Sequence, residues 1–244
     1  KLTELGVETP TLFDEADGID FEAVADSNPD VILAAYSGLD QEDYDTLSKI
    51  APVVAYPDVA WGTTWQEMTI MNGTALGLED EATALVDGLT DDLAEMTSAH
   101  PDIADKTMMF SSFDATNLAE IGFYSRQDPR ELFLEDLGLT PAATVAEQSE
   151  STDLFWITNS TEEIERFDDL DILVTYGDDT TLETMQADPL LSRIPAVASG
   201  AVVILPATNA PLAAAANPSP LSIPNELTSE YVDLLGEAAA KVGQ

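Results

Sequence analysis

The stretch WQEMTIMNGTALGLEDEATALVDGLTDDLAEMTSA, residues 65–99, decides the fold of this chain because it carries no strand signal. Its apolar residues recur at helical spacing: Trp65, Met68, Leu76, Ala82, Leu85, Leu89, Leu93 and Met96. Gly77 interrupts the pattern, so we predict a shorter helix ending near Leu76 and a long one, capped by Asp80, from about Asp80 to Ala99. A helix of roughly 20 residues is about 30 Å long, the diameter of a small domain.

Buried strands are predicted on both sides of this stretch, where short apolar runs are rich in β-branched residues. The runs are residues 29–36, 51–56, 106–112, 154–158, 171–176 and 201–206. Strands that alternate with helices indicate an α/β fold with largely parallel sheets. We therefore predict two lobes joined by a single long helix, with an N-terminal lobe over residues 1–79, an interdomain helix over 80–100 and a C-terminal lobe over 101–244.

Two helix starts are marked by the capping-box pattern, in which a polar side chain and an acid three residues later satisfy free N–H groups. The segment DPRE, residues 128–131, adds a proline in the first turn and predicts a helix that stops at Gly138. Ser160 and Glu163 form the second predicted box.

The charge of the chain excludes several classes of partner. Eight Lys and Arg residues stand against 47 Asp and Glu residues, a formal net charge of -39. Such a chain cannot neutralise the phosphates of a nucleic acid, and docking on an anionic membrane surface is disfavoured for the same reason. The acids are spread between apolar residues, which indicates a solvated surface rather than a disordered tail. No apolar run reaches the length of a membrane span. Composition does not decide in which cellular compartment the protein acts.

Residues that carry common enzyme chemistry are scarce. The chain has no cysteine and one histidine, His100, which we interpret as a cap on the long helix. This argues against zinc, copper or nickel sites and against a Ser-His-Asp triad, and glycine-rich nucleotide motifs are missing from the sequence. Acid pairs such as Asp178-Asp179 fit a solvated surface better than glycoside chemistry or a calcium site. We therefore predict that the protein is not an enzyme.

Aromatic residues follow the predicted strands at the edge where ligands bind in open α/β sheets. Large rings with polar tips at that edge suit a cleft, although core packing is the alternative for any single ring. Arg126, one of few cations, lies beside Tyr124 and favours contact with an anionic ligand. The predicted ligand-binding residues are Tyr36, Trp61, Trp65, Phe113, Tyr124, Arg126 and Tyr176.

The segment IDFEAVADSNPDVILAAYSGLDQEDYDTLSKIAPVVAY, residues 19–56, resembles the N-lobe of class III substrate-binding proteins of ABC importers. The resemblance continues through TALGLEDEATALVDGL, DPRELFLEDLGL, STEEIERFDDLDILVTYGDD and DPLLSRIPAVASGAVVILPA, and is best to the actinobacterial ferric-siderophore branch. It implies two lobes, one rigid helix and a shallow cleft. It also implies a monomeric protein outside the cytoplasm that captures a ferric siderophore, with no cofactor and no metal ligands, because the iron arrives chelated.

The same resemblance implies a docking role for two acids. Glu42 corresponds to the N-lobe acid that meets arginines of the permease, and Glu183 is our choice for the C-lobe, with Asp178 and Asp179 open. Family members begin with further strands and a lipid-anchor cysteine, so we expect a longer, lipid-anchored precursor and an incomplete N-terminal lobe. The alternatives are a haem- or cobalamin-binding protein of the same fold, or an extracellular α/β hydrolase.

Overall fold

The computed structural model describes residues 18–243 together with residues 6, 8, 10–12 and 15, apart from the side chain of Leu227. Much of residues 1–17 and residue 244, which belong to the two predicted lobes, lies outside the described residues. Within the described residues the α-helices are α1 (Phe21–Asp26), α2 (Gln41–Leu47), α3 (Trp65–Ala75), α4 (Glu79–Ser98), α5 (Pro129–Asp136), α6 (Ala143–Ser149), α7 (Thr181–Ala187), α8 (Pro195–Ser199), α9 (Ala210–Ala215) and α10 (Glu226–Ala239).

The strands form two separate sheets, as the strand-free stretch predicts. The strands are β1 (Ile32–Ala34), β2 (Val53–Ala55), β3 (Thr107–Ser112), β4 (Glu120–Tyr124), β5 (Thr140–Pro141), β6 (Trp156–Ser160), β7 (Ile172–Gly177) and β8 (Val202–Pro206). β1 and β2 pair in parallel before α4, and the strands after α4 form a sheet in the order β6-β4-β3-β7-β8, with β5 also on β3. The fold class is confirmed as α/β with mostly parallel pairing, although β4 runs antiparallel to both β3 and β6.

The long helix predicted from about Asp80 to Ala99 is α4. Leu78 occupies its N-cap position, so Asp80 lies in the first turn and is not the cap that we predicted. Leu89 and Leu93 of α4 are buried in the core of the larger sheet, and α3 packs against α4, with Gly73 in close approach to Ala82.

Both predicted capping boxes are only half formed. Asp128 accepts the N–H of Arg130 at 2.9 Å and begins α5, which ends one residue before Leu137 and two before Gly138, whose φ is +89°. Glu131, however, does not serve the N-cap, because its carboxyl is buried and accepts the backbone N–H of Phe110 at 2.9 Å. Burial against the sheet therefore overrides the local capping pattern.

In the second predicted capping box, too, the acid does not form its hydrogen bond to the N-cap. Ser160 accepts the N–H of Glu162 at 3.2 Å and begins the 3-10 helix Thr161–Phe167. Glu163 is drawn away by Arg166, whose Nε lies 3.0 Å from its carboxylate.

Three clusters of buried side chains make up the core. The larger sheet has one cluster on each face, and Phe110 and Phe123 mark the two faces on adjacent strands. The smaller sheet rests on a cluster formed by Val24, Leu39 and Leu47, whose other members are only partly buried. The core is thus much deeper after α4 than before it.

Candidate functional site

The first turn of α5 places an arginine among tyrosine rings. Asp128, whose side chain is fully buried, accepts Nε and Nη2 of Arg130 at 2.8 Å each. Burial alone lowers the pKa of Arg130, but the hydrogen bonds and charge of Asp128 outweigh it and raise that pKa above the usual arginine value. The guanidinium is therefore held in one orientation and stays charged.

This guanidinium lies over the ring of Tyr124, 4.0 Å from its centroid, in a cation–π contact. Tyr124 in turn meets the edge of Trp156 with ring centroids 4.9 Å apart. Phe110 lies between Tyr124 and Tyr176, with centroid distances of 5.5 Å and 5.3 Å. All of these rings come from neighbouring strands of the larger sheet, β4, β6, β3 and β7.

A second group of rings comes from the segment before α4. Tyr36 follows β1 and meets Trp61 edge-on with centroids 5.3 Å apart, while its hydroxyl accepts Nδ2 of Asn217 at 3.3 Å. Burial raises the pKa of Tyr36, whereas Asn217 and Arg130 lower it. The charge of Arg130 thus lowers the pKa of a tyrosine from each group, Tyr36 and Tyr124. We define the Arg130 cluster as these residues and their ring neighbours: Arg130, Tyr36, Tyr124, Tyr176, Trp61 and Trp156.

Two glycines provide the space in which the tryptophans lie. A Cβ on Gly122 of β4 would overlap the six-membered ring of Trp156, and a Cβ on Gly38 would overlap the indole of Trp61. Trp61 itself has a φ of +63° and donates its N–H to the carbonyl of Ser37 at 2.9 Å. Each indole is therefore seated against backbone, and a side chain as small as alanine at either glycine would displace it.

The structure does not place all seven predicted ligand residues together. Trp65 is 3% exposed in the main core, and its Nε1 donates to Asp136 at 3.1 Å. It also lines a cavity of about 140 Å³ together with Tyr36 and Asn217. Trp65 therefore shares a cavity with Tyr36, although little of its own surface is exposed, and its role in a cleft stays a prediction.

Phe113 also lies apart from the tyrosines. Its side chain packs against the cluster on the other face of the sheet, which includes Phe123 and Met185, and its N–H donates to Thr175 at 3.0 Å. Phe113 follows β3, which ends at Ser112, and it lines a cavity of about 170 Å³ together with Trp156 of the Arg130 cluster. Its predicted role in ligand binding stays a prediction.

Arg126 is paired with an acid of α5. It forms a two-point ion pair with Glu135, with Nε–Oε1 and Nη2–Oε2 distances of 2.7 Å and 2.9 Å. The cation that contacts Tyr124 is Arg130, for which we predicted only a place in a capping motif. The sequence does contain a signal for this contact. Arg130 directly follows Asp128-Pro129 in the first turn of the predicted helix, and a side chain at that position can point back onto the sheet.

The two predicted docking acids are exposed at equivalent points of the two sheets. Glu42 lies in the first turn of α2, which follows β1, and Glu183 lies in the first turn of α7, which follows β7. Asp178 accepts the N–H and the hydroxyl of Thr180 at 2.8 Å and 2.7 Å, and these hydrogen bonds lower its pKa. Asp179 is exposed.

The chemistry of the Arg130 cluster is that of a binding surface. Burial raises the pKa of Tyr124 as well as that of Tyr36, so the phenols are neutral near pH 7.

Among the described residues no group of three or more His, Asp or Glu side chains could hold a metal ion. His100 follows the end of α4 that we expected it to cap, and its Nε2 lies 2.7 Å from the carboxylate Oδ1 of Asp233 on α10. In the described part of the chain no helix is both long and apolar enough to cross a bilayer.

Comparisons with known proteins give one family. Residues 2–208 match the periplasmic binding protein family model. The structure of PiaA from Streptococcus pneumoniae TIGR4 in complex with ferrichrome is similar at 42% identity and a TM-score of 0.92, covering 99% of this chain and 80% of that one. A periplasmic solute-binding protein from Mycobacterium smegmatis is similar at 24% identity and a TM-score of 0.73, covering 98% and 78%. FhuD2 from Staphylococcus aureus with bound ferrioxamine B shares 19% identity at a TM-score of 0.67, covering 96% and 84%. No curated protein sequence matches.

Proposed function

The chain belongs to the periplasmic binding protein family, and we propose that it captures a ferric siderophore outside the cytoplasm and delivers it to the permease of an ABC importer. The family consists of solute-binding proteins rather than enzymes and implies an extracytoplasmic location. The observation that carries the proposal is the Arg130 cluster, in which one oriented guanidinium lies among neutral phenols and two seated indoles. The relative that shares 42% identity was solved with ferrichrome, which supports the same ligand class here.

The chemistry of the cluster favours iron that arrives already chelated. A siderophore that wraps Fe³⁺ presents oxygen acceptors and apolar edges, which match the guanidinium, the phenol hydroxyls and the indole faces. Direct ligation of haem iron by a tyrosine needs a phenolate. Burial raises the pKa of Tyr36 and Tyr124 and so disfavours that form. We therefore rank haem and cobalamin below a ferric siderophore, and a hydroxamate of the ferrichrome type first.

Quenching of tryptophan fluorescence tests the ligand. The chain has three tryptophans, of which Trp61 and Trp156 belong to the cluster and Trp65 is buried in the core. We expect saturable quenching by ferrichrome and little by its iron-free form, haem or cobalamin. Trp61→Phe and Trp156→Phe should each reduce the quenched fraction. Saturable quenching by haem or cobalamin with none by ferric siderophores would overturn the proposal.

Delivery to the permease is proposed to use one exposed acid from each side of α4. Glu42 and Glu183 fit this role because both lie at the first turn of a helix that follows a parallel strand. Asp178 is the weaker choice for the second side, since its carboxylate is engaged by Thr180. Asp179 remains the alternative.

The remaining assignments are part of the same proposal. We divide the chain into an N-terminal lobe over residues 1–79, an interdomain helix over 80–100 and a C-terminal lobe over 101–244, the bridging helix being α4. We further propose a monomer, a lipid-anchored precursor with additional N-terminal strands, and membership of the actinobacterial siderophore branch. Size-exclusion chromatography with light scattering tests the first of these directly, with a dimer as the contrary result.

A further inference from the structure

The first turn of α5 touches the larger sheet through two consecutive side chains. Arg130 lies over the ring of Tyr124 on β4, with 4.0 Å between the guanidinium carbon and the ring centroid. Glu131 reaches the neighbouring strand β3, where its Oε2 accepts the N–H of Phe110 at 2.9 Å. The two contacts lie side by side, so the position of one constrains the other.

The N–H of Phe110 is available to Glu131 because of a gap along β3. On the edge of β3 away from β7, β5 pairs with Thr107 and Met108, and β4 pairs at Ser111. Phe110 lies between these two pairings. A buried backbone N–H without an acceptor is costly, and the Glu131 carboxyl supplies the acceptor that a strand would otherwise provide.

Glu131 is fully buried, and its second oxygen, Oε1, has no hydrogen-bond partner. Its location is unusual, because acids are rarely fully buried without a charged partner. The bond to Phe110 is therefore the contact that accounts for its place. Phe110 also touches the rings of Tyr124 and Tyr176, so this bond joins α5 to the frame of the Arg130 cluster.

We propose that Glu131 is a positioning residue for ligand binding: its hydrogen bond to Phe110 holds the first turn of α5 against β3 at the height that sets Arg130 over Tyr124. Glu131 lies beneath the binding surface and touches no ligand itself. This inference rests on the proposed function for its consequence, but its geometric part concerns the ligand-free protein alone.

The electrostatic environment indicates which substitution preserves the contact. Burial raises the pKa of Glu131 well above its usual value, the bond from Phe110 and the charge of Arg126 lower it, and the charges of Glu135 and Asp128 raise it. The raised pKa favours the neutral acid, and the amide of glutamine reproduces the shape, charge and acceptor oxygen of that form. Glu131→Gln is the conservative variant, and Glu131→Met removes the acceptor at similar length.

Arginine side-chain NMR tests the geometric part without ligand. The chain has four arginines, Arg126, Arg130, Arg166 and Arg193, so the Nε–H region of a ¹⁵N spectrum is simple to assign with Arg→Lys variants. The Tyr124 ring current should displace the Arg130 signal. We expect Glu131→Met to shift that signal and Glu131→Gln to leave it in place. The matched control Glu135→Gln, on the same helix, should shift Arg126 and not Arg130. An unmoved Arg130 signal in Glu131→Met would overturn the proposal.

A double-variant cycle on ferrichrome affinity tests the functional part. Glu131→Met should weaken binding about tenfold, the size expected for one lost hydrogen-bonded constraint, while Glu131→Gln stays within about twofold of the parent. In an Arg130→Ala background the same Glu131→Met change should have no further effect, because Glu131 acts through Arg130. A full tenfold loss in that background contradicts the inference.

One outcome separates this inference from the proposed function. If the unaltered protein binds no ferric siderophore, the proposed function fails, while the NMR result still decides the geometry.

Other variants carry the test if Glu131→Met does not fold. They are Glu131→Ala and the pair of Glu131→Gln and Glu131→Asp. Aspartate keeps the charge type but shortens the reach, so it should shift the Arg130 signal as the methionine does.

Discussion

The segments on the two sides of α4 contribute to the proposed binding site from scaffolds of very different depth. Residues 18–78, here the N-terminal region, have a two-stranded sheet and a small cluster around Leu47. Residues 101–243, the C-terminal region, have a six-stranded sheet with a large buried cluster on each face. The Arg130 cluster takes Tyr36 and Trp61 from the first and its remaining members from the second.

The difference predicts which side chains of the proposed site are already fixed in position before a ligand binds. Arg130, Tyr124 and Tyr176 rest on buried strands and are held by an ion pair and ring contacts. Trp61 is 43% exposed and rests mainly on Gly38 and Tyr36. We therefore expect the C-terminal region to set affinity, since it loses little freedom on binding, and the N-terminal region to adapt to the ligand.

The strongest test of this comparison removes one core residue from each region. Phe167→Ala, at a fully buried ring in contact with Phe123, should lower the free energy of unfolding by about 3–5 kcal/mol. Leu47→Ala should cost about 2 kcal/mol, because its half-exposed neighbours can move into the space. Chemical denaturation at one pH measures both, and equal losses would break the comparison.

Loss of the ion pair between Arg130 and Asp128 should lower the stability almost as much. Arg130→Ala leaves the buried carboxylate of Asp128 without its partner and should lower the free energy of unfolding by about 3 kcal/mol or more. Arg126→Ala is the matched control, because its partner Glu135 is partly exposed, and should cost less than about 1 kcal/mol. Thermal and chemical denaturation measure both variants. If the two variants lost similar stability, Arg130 would be no better anchored than a surface residue.

A smaller effect should separate the two tryptophans in ligand binding. Trp156→Ala, on the C-terminal region, should weaken ferrichrome binding by about 2 kcal/mol, whereas Trp61→Ala should cost about 1 kcal/mol. The reason is that Trp156 is half-buried and fixed against Tyr124 and Gly122, whereas Trp61 is exposed. Isothermal titration calorimetry measures both, and a larger loss for Trp61 would reverse the assignment of rigid and adaptable halves.

The pH dependence of stability should carry a contribution from the C-terminal region alone. Burial raises the pKa of Glu131, so the folded state keeps its proton at a pH where the unfolded state has released it. Folding then takes up a proton, and stability falls as the pH rises from the ordinary glutamate pKa toward the folded value, by up to about 1.4 kcal/mol per pH unit. Glu131→Gln should remove this slope. Identical pH profiles of unfolding for the two proteins would show that folding does not raise the pKa of Glu131.

The smallest effects on the isolated protein are expected at the docking acids. Glu42→Arg and Glu183→Arg lie on exposed first turns, one in each region, so each should cost less than about 1 kcal/mol of stability through the helix dipole. Ferrichrome affinity should stay close to that of the parent, while uptake by cells that depend on this protein should fall. Normal uptake in both variants would leave Asp179 as the next residue to test.

The sequence predicted those parts of the fold that depend on local pattern. Six of the eight strands, the strand-free stretch and the two-sheet organisation follow from apolar periodicity. β4 was missed because Gly122 interrupts its apolar run, and that glycine is needed for the indole of Trp156. The space that the Trp156 indole requires therefore weakened the local strand signal.

The site itself could be predicted only in outline. Trp61 and Trp65 are four residues apart, yet one is exposed at a positive φ and the other is buried at the start of α3. Arg126 and Arg130 are also four residues apart, and the choice between them depends on which acid, Glu135 or Asp128, is buried. Such choices are made by tertiary packing, and no spacing rule contains them.

The pairing of Arg130 with Asp128 has a consequence for the kinetics of capture. The pair presents a local dipole with little net charge, inside a molecule whose formal charge is -39. A negatively charged ferric complex must therefore approach against the long-range field, so its association rate should rise with added salt, whereas that of an uncharged chelate should hardly change. Selection among iron complexes would then begin during diffusion, before any ring or hydroxyl is touched.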